Sequence, residues 1–210
     1  MDKRSRNKHR RYEQALFAAE KLFSENRWED VQMKDIAEEA GIGIATLFRY
    51  FPKKQTLLVA VAVMIMSREL QFVEETVTSD QFALQKLETI LDRLGEVVTN
   101  PNQRTRRFID LFEGYIGNST ETLEGIDTYL DIRARIAEAI GELTEEGVQD
   151  GSFDQRKVST EECLTLINSF ALFARKLAMT GILHQPDGRL SPRAQLETIK
   201  TIYLNHVRLE

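Results

Sequence analysis

The fold turns on "AGIGIATLFRYFPKKQTLL", Ala40 to Leu58. Pro52 closes the segment Ile44–Tyr50, because the residue before a proline avoids helical backbone. Gly41 can take the left-handed conformation that ends a helix, here one expected over Lys34–Ala40 that buries Ile36, Ala37 and Ala40. Gly43 then opens the next helix. Two short helices joined by a three-residue, glycine-containing turn form a helix-turn-helix.

On Ile44–Tyr50, Leu47 and Phe51 are four apart and share one face, directed at Ile36 and at a helix upstream. Ile44, Ala45, Phe48 and Arg49 are left outward. An apolar residue, an aromatic and a cation exposed on one short helix call for a cover. The major groove of duplex DNA supplies one: arginine forks onto guanine O6 and N7, and apolar side chains meet thymine methyls. Lys34, Lys53, Lys54 and the basic segment Lys3–Arg11 flank this face as phosphate contacts. The competing reading is a small helical hairpin whose aromatics are core, since helix-turn-helix patterns also occur in proteins that never meet DNA. "GIG" is not a dinucleotide fingerprint, because Thr46 occupies the third glycine position and a helix precedes it.

Charge divides along the same line. Residues 1–54 carry twelve Lys/Arg against nine Asp/Glu, a net of +3, whereas the remainder nets −8 within a total of −5. A basic head thus precedes an acidic body. The chain of 210 residues is 42% hydrophobic, enough for one large or two small cores. Cys163 is the only cysteine, so a disulfide framework is excluded and a reducing compartment is expected. No apolar segment follows the basic N-terminus, and the longest apolar run, Leu57–Met66, falls short of the roughly 20 residues that span a bilayer. The expected location is cytoplasmic, with no membrane partner.

Apolar spacing predicts an all-α chain of about nine helices. Tyr12, Ala15, Leu16, Ala19, Leu22 and Phe23 set a first helix over 6–25. Beyond the helix-turn-helix come a long helix over 54–77 and others near 81–98, 103–116, 121–149, 157–181 and 192–209. Turns fall at 99–103, 149–154 and 184–192. In the helix over 157–181, Cys163, Leu164, Leu166, Ile167, Phe170, Ala171, Phe173, Ala174, Leu177 and Ala178 cover more than one face. One side suits the subunit's own core and the other a second copy, and the last helix repeats the pattern. A four-helix homodimer interface follows, against the alternative of two core helices in a monomer.

A small-molecule pocket is expected where helices carrying Phe108, Phe112 and Tyr115, then Ile126, Tyr129, Leu130 and Arg133, then Asn168 offer apolar faces. Arg133, seven residues after Ile126 and four before Ala137, is the cation expected among those faces. Ordinary core packing, with Arg133 in solvent or on an internal acid, competes with this. Metalloprotease, P-loop and nucleophile-elbow motifs are absent, and His9, His184 and His206 are scattered. No enzymatic activity, metal site or cofactor is expected. A helical interaction module and an unrecognised helical enzyme stand as alternatives to a DNA-binding regulator.

"DIAEEAGI", then "ATLFRYFPKK", then an apolar helix, with a basic arm and one helix upstream, resembles the DNA-binding domain of the tetracycline-repressor (TetR) family of bacterial transcriptional regulators. The resemblance covers Phe23–Leu58. It implies a DNA-binding domain over residues 1–53 and a helical effector-binding and dimerisation domain over 54–210. It also implies base contacts from Ile44 and Ala45 in a recognition helix over Gly43–Tyr50, phosphate contacts from Thr46 and Tyr50, and a backbone-contacting Lys54. Phe48 stands where most members carry a phosphate-bonding tyrosine, and Gln32 and Met33 where threonine is common. Gly43 replaces the usual capping serine. The implied partners are an operator duplex, a second subunit and a small-molecule effector that modulates DNA binding, most simply as a repressor.

Overall fold

A computed structural model describes residues 3–100, 104–119, 122–179 and 191–209. Among them the helices are α1 (Lys3–Glu25), α2 (Met33–Glu39), α3 (Ile44–Tyr50), α4 (Lys54–Val77), α5 (Ala83–Thr99), α6 (Arg104–Asn118), α7 (Ile126–Gln149), α8 (Thr160–Met179) and α9 (Pro192–Val207). The described residues contain no strand, only an isolated antiparallel bridge between Phe153 and Arg208. Most of the expected loop at 184–192 lies outside the described residues.

Local signals explain the helix ends. Gly41 has φ of +64°, and around it the Gly41 N–H donates to Glu38 O and the Ile42 N–H to Ala37 O, closing α2. α7 begins at Ile126 rather than near 121, directly after Gly125, whose φ is +84°. α8 begins at Thr160 rather than 157. There the Glu162 N–H donates to Ser159 Oγ and the Ser159 N–H to Glu162 Oε2, a reciprocal cap that sets the first turn.

α4 has 24 residues and is apolar enough by length and composition alone to cross a membrane, so the shortfall expected for this segment does not hold. In the fold, Leu57, Leu58, Val61 and Ala62 are fully covered inside a protein core.

The chain forms two compact units, residues 1–68 with 102–133, and 69–101 with 134–210. This division differs from the expected boundary at 53/54. The reason lies in α6, whose Phe108 and Phe112 pack into the same core as the helix-turn-helix. In unit 1, α1 packs on α6 and α2, and α2 on α3. Its core joins Ala15, Ala19 and Phe23 to Ile36, Leu47 and Phe51 and to Phe108 and Phe112. Phe23 stands 6.3 Å from Phe108, ring centre to ring centre.

In unit 2, α5 packs on α8 and α9, which also pack on each other. Leu87, Leu91, Ile140, Leu143, Phe170 and Leu177 fill the space between. After α7 the chain folds back so that the Phe153 ring lies on Gly147. A Cβ at Gly147 would come within 2.3 Å of that ring, so any other residue there forces the Phe153 ring out of its place.

Asp154 locks the same turn, accepting from Arg156 Nε and Nη2 at 3.0 and 2.9 Å and from the Arg156 N–H at 3.0 Å. The Arg156 guanidinium, then the Arg156 N–H, push the Asp154 carboxyl down to about 2. Its folded pKa lies below the ordinary value near 3.9, so its contribution to stability is complete above about pH 4 and is lost as pH falls toward 2. Thermal melts should therefore show Asp154→Asn below wild type at pH 5 and above, with the gap closing by about pH 2. A gap unchanged across that range would mean that the carboxylate charge is not what stabilises the turn.

Candidate nucleic-acid interface

α3 is held by its inner face. Leu47 is fully buried and Phe51 nearly so, while the Phe51 N–H donates to Leu47 O and ends the helix before Pro52. The opposite face is open: Ile44 is 42% exposed and Phe48 46%, with Ala45 and Arg49 beside them. Gly43 caps α3 through its carbonyl, which accepts from the Thr46 and Leu47 N–H groups. Its φ of −66° is open to any residue, so glycine is not demanded there. At α2, the Asp35 carboxylate accepts from the Gln32 N–H at 3.1 Å, the back-bonding half of a capping box. Lys34 and Lys53 are exposed, and Thr46 is half-buried.

Beside α3 lies a cleft of about 1010 Å³, lined by Lys3, Arg4, Ser5, Asn7, Lys8, Arg11, Arg49 and Tyr50. Five of these eight are cations and none is an acid. α1 is helical from Lys3, so the basic segment expected before residue 6 as an arm is an extension of the first helix. Side chains at 4, 8 and 11 recur at helical spacing, which brings them to one side of α1 next to Arg49.

Two expected phosphate contacts have other partners. Lys54 Nζ donates to Trp28 O at 2.6 Å and Val31 O at 2.9 Å and sits 4.2 Å above the Trp28 ring. Burial pushes this ammonium below the ordinary lysine range, partly offset by Glu29 and Asp30. A lysine in the first turn of a helix opposes the helix dipole, and that misplacement was the available signal that it serves a specific partner. Tyr50 is half-buried; its hydroxyl donates to Lys8 O at 3.3 Å, and its ring meets Tyr12 edge-on at 5.8 Å. Tyr12, which also packs 5.1 Å from Phe51, is the structural residue that sequence reasoning placed only in a helix stripe.

The residues expected to line an effector pocket do not converge. Phe108 and Phe112 are fully covered, stacked at 6.1 Å in the unit 1 core. Tyr115 packs at 4.9 Å on Trp28 and, with Gln55, Leu111 and Asn118, borders an open groove of about 520 Å³. Arg133 is exposed, in solvent as the ordinary-packing reading has it and not on the apolar face of α7. The buried apolar side chains of α7 are Tyr129, Ile132, Ala139, Ile140 and Leu143, a stripe that leaves Arg133 and Leu130 outside. Asn168 belongs to unit 2 and is exposed on α8.

Comparison with known proteins agrees with the head. Residues 15–61 match the model of the family described as bacterial regulatory proteins, tetR family. Over 88 residues the chain is 26% identical to the fatty acid metabolism regulator protein of Bacillus subtilis (strain 168), covering 42% of this chain and 45% of that one. Over 136 residues it is 24% identical to the HTH-type transcriptional repressor KstR of Mycobacterium tuberculosis, covering 65% and 62% respectively. The alignments thus span between about half and three fifths of these relatives' lengths. The fold is shared with the crystal structure of the Bacillus subtilis transcriptional regulator FadR in complex with stearoyl-CoA, at a TM-score of 0.68 and 17% identity over 94% of this chain and 100% of that one. With a recognition-type helix held on α1 and α2 and a family match over that same frame, the head of the chain, residues 15–61, is similar to the tetR family of bacterial regulatory proteins.

Proposed function

We propose that this protein is a ligand-responsive transcriptional repressor, cytoplasmic, that grips a palindromic operator as a homodimer. The observation that carries the reading is the open face of Ile44, Phe48 and Arg49 beside a cleft walled by five cations. Ile44, Ala45, Phe48 and Arg49 read base edges in the major groove, and Gly43 lets the backbone approach. Lys34, Thr46, Lys53 and the α1 cations take phosphates, with Lys54 supporting the turn before α2. Residues 1–53 act as the reading head and 54–210 as the regulatory body.

The outer faces of α8 and α9 support pairing with a second copy: Leu172 is 58% exposed, Met179 54% and Ile202 54%. A dimer holds two recognition helices about 34–36 Å apart, or a small multiple of that, to enter successive major grooves. An effector that binds one spacing better than the other shifts operator occupancy, with α4 as the lever. A long-chain acyl thioester is the first effector class to try, because a protein of this fold is known with stearoyl-CoA bound. A second reading, an effector-independent DNA-binding protein, is favoured by the closed core around Phe108 and Phe112. Operator affinity measured with and without the acyl thioester separates the two.

The DNA reading is tested by selecting duplexes from a random pool and measuring the complex mass, which should be that of two chains on one duplex. Arg49→Ala and Ile44→Ala should change the preferred sequence, each by about 1–3 kcal/mol. Lys53→Ala should weaken all duplexes alike and reduce the salt slope by about one. A preferred sequence that survives both α3 substitutions would place base reading elsewhere.

A further inference from the structure

Six of the nine residues from Lys3 to Arg11 are Lys or Arg. Such a segment is a poor helix start. Like charges repel along one face, and cations at a helix N-terminus oppose the dipole, with no acidic residue in the first turn to offset it. Yet α1 is helical from Lys3. A tertiary contact must therefore hold it, and Tyr50 supplies one. Its hydroxyl donates to the Lys8 carbonyl at 3.3 Å, its ring meets Tyr12 edge-on at 5.8 Å, and the Arg49 guanidinium lies 5.7 Å from the ring centre. One side chain of the recognition helix thus joins the basic start of α1 to the cation that faces DNA.

We infer that Tyr50 is a positioning residue rather than a phosphate contact: it clamps the first turns of α1 onto α3, so that Lys3, Arg4, Lys8, Arg11 and Arg49 form one pre-ordered phosphate-binding cleft. This rests on the DNA-binding reading above and deepens it. A flexible basic arm would lose conformational freedom on meeting the duplex, which subtracts from affinity. A helix already held beside α3 has lost that freedom on folding. The clamp also sets the register between phosphates met by α1 and bases met by Arg49, because both are fixed to the same ring.

Two measurements test it. In the free protein, amides 7–11 are the first in α1 with a carbonyl four residues back, and their hydrogen exchange reports whether that turn stays closed. Tyr50→Phe keeps the ring and removes the hydroxyl, and should speed their exchange about three- to tenfold, the range set by one hydrogen bond. For operator duplex, Tyr50→Phe should weaken binding by a similar factor in the wild-type background. It should have no effect in a variant carrying Lys3→Ala, Arg4→Ala, Lys8→Ala and Arg11→Ala, because the α1 cations that the hydroxyl positions are then gone, while Arg49 keeps its contact with the ring in both backgrounds. Unchanged exchange overturns the clamp. An equal loss of affinity in both backgrounds also overturns it and returns the hydroxyl to a phosphate. A wild type that binds no duplex at low salt removes the DNA reading itself, an outcome seen in the binding measurement and distinct from the exchange result, which needs no DNA.

Discussion

Truncating Phe108 to alanine should destabilise unit 1 by about 3–5 kcal/mol, the range for a fully buried phenylalanine. The ring has no exposed surface and lies between Phe23 and Phe112, at 6.3 and 6.1 Å, in the core that also seats the helix-turn-helix. Removing it leaves a cavity that two aromatic neighbours and the helix backbones can fill only in part. Against a typical total of about 5–15 kcal/mol, the loss is large. Urea unfolding followed by fluorescence is well placed to see it. Trp28 is the only tryptophan of the chain, and it packs 5.2 Å from Phe23 in the same core. The midpoint should drop with little change in slope. A variant of wild-type stability that had lost only an effector response would return Phe108 to the role of a cavity wall, which sequence periodicity alone had allowed.

The second large effect belongs to unit 2. Lys86 is a lysine inside a core, its side chain 3% exposed, and its ammonium donates to Val77 O at 2.8 Å and to Glu146 Oε1 and Oε2 at 2.7 and 2.8 Å. All three donors are used, and the arrangement ties the end of α4 and the start of α5 to α7. Glu146→Ala leaves the ammonium with one carbonyl and only the Asp150 carboxylate nearby as counter-charge. Breaking a buried pair from one side costs about 3–5 kcal/mol, and the low end applies because the Glu146 carboxylate is 39% exposed. Loss of helical circular dichroism in urea should move to lower denaturant accordingly. Replacing both partners, Lys86→Met with Glu146→Leu, should recover most of the loss, since two apolar chains leave no orphaned charge. Equal destabilisation by the single and double changes would show that shape rather than charge pairing matters at this position.

Neither Lys86 nor Glu146 stands out in the sequence. Lys86 sits in an ordinary amphipathic helix, and nothing within α5 announces that its partner lies 60 positions away on α7. Phe108 and Phe112 were legible as a stripe, but a stripe records that a face is apolar and not whether a ligand or Phe23 covers it. The same limit explains Arg133. Apolar residues of α7 occur in more than one helical phase, so a helical period could be read while its phase could not. Packing selected the phase through Tyr129, Ile132 and Ile140 and turned Arg133 outward.

Where determinants are local, sequence was enough. The end of α2 and the end of α3 follow from Gly41 and Pro52, residues whose effect lies in their own backbone, and Ile44–Tyr50 and Lys54–Val77 are helical as expected. The outward face of α3 was equally legible, because a seven-residue helix anchored by Leu47 has only one way to bury its inner side. Tertiary structure alone decided what depends on distant partners. It placed α6 in the unit of the head, committed Lys54 to the carbonyls of Trp28 and Val31, and brought the Tyr50 hydroxyl to Lys8. These contacts join residues 23 to 85 positions apart, and no local propensity encodes which of many polar or apolar groups will meet when the helices pack.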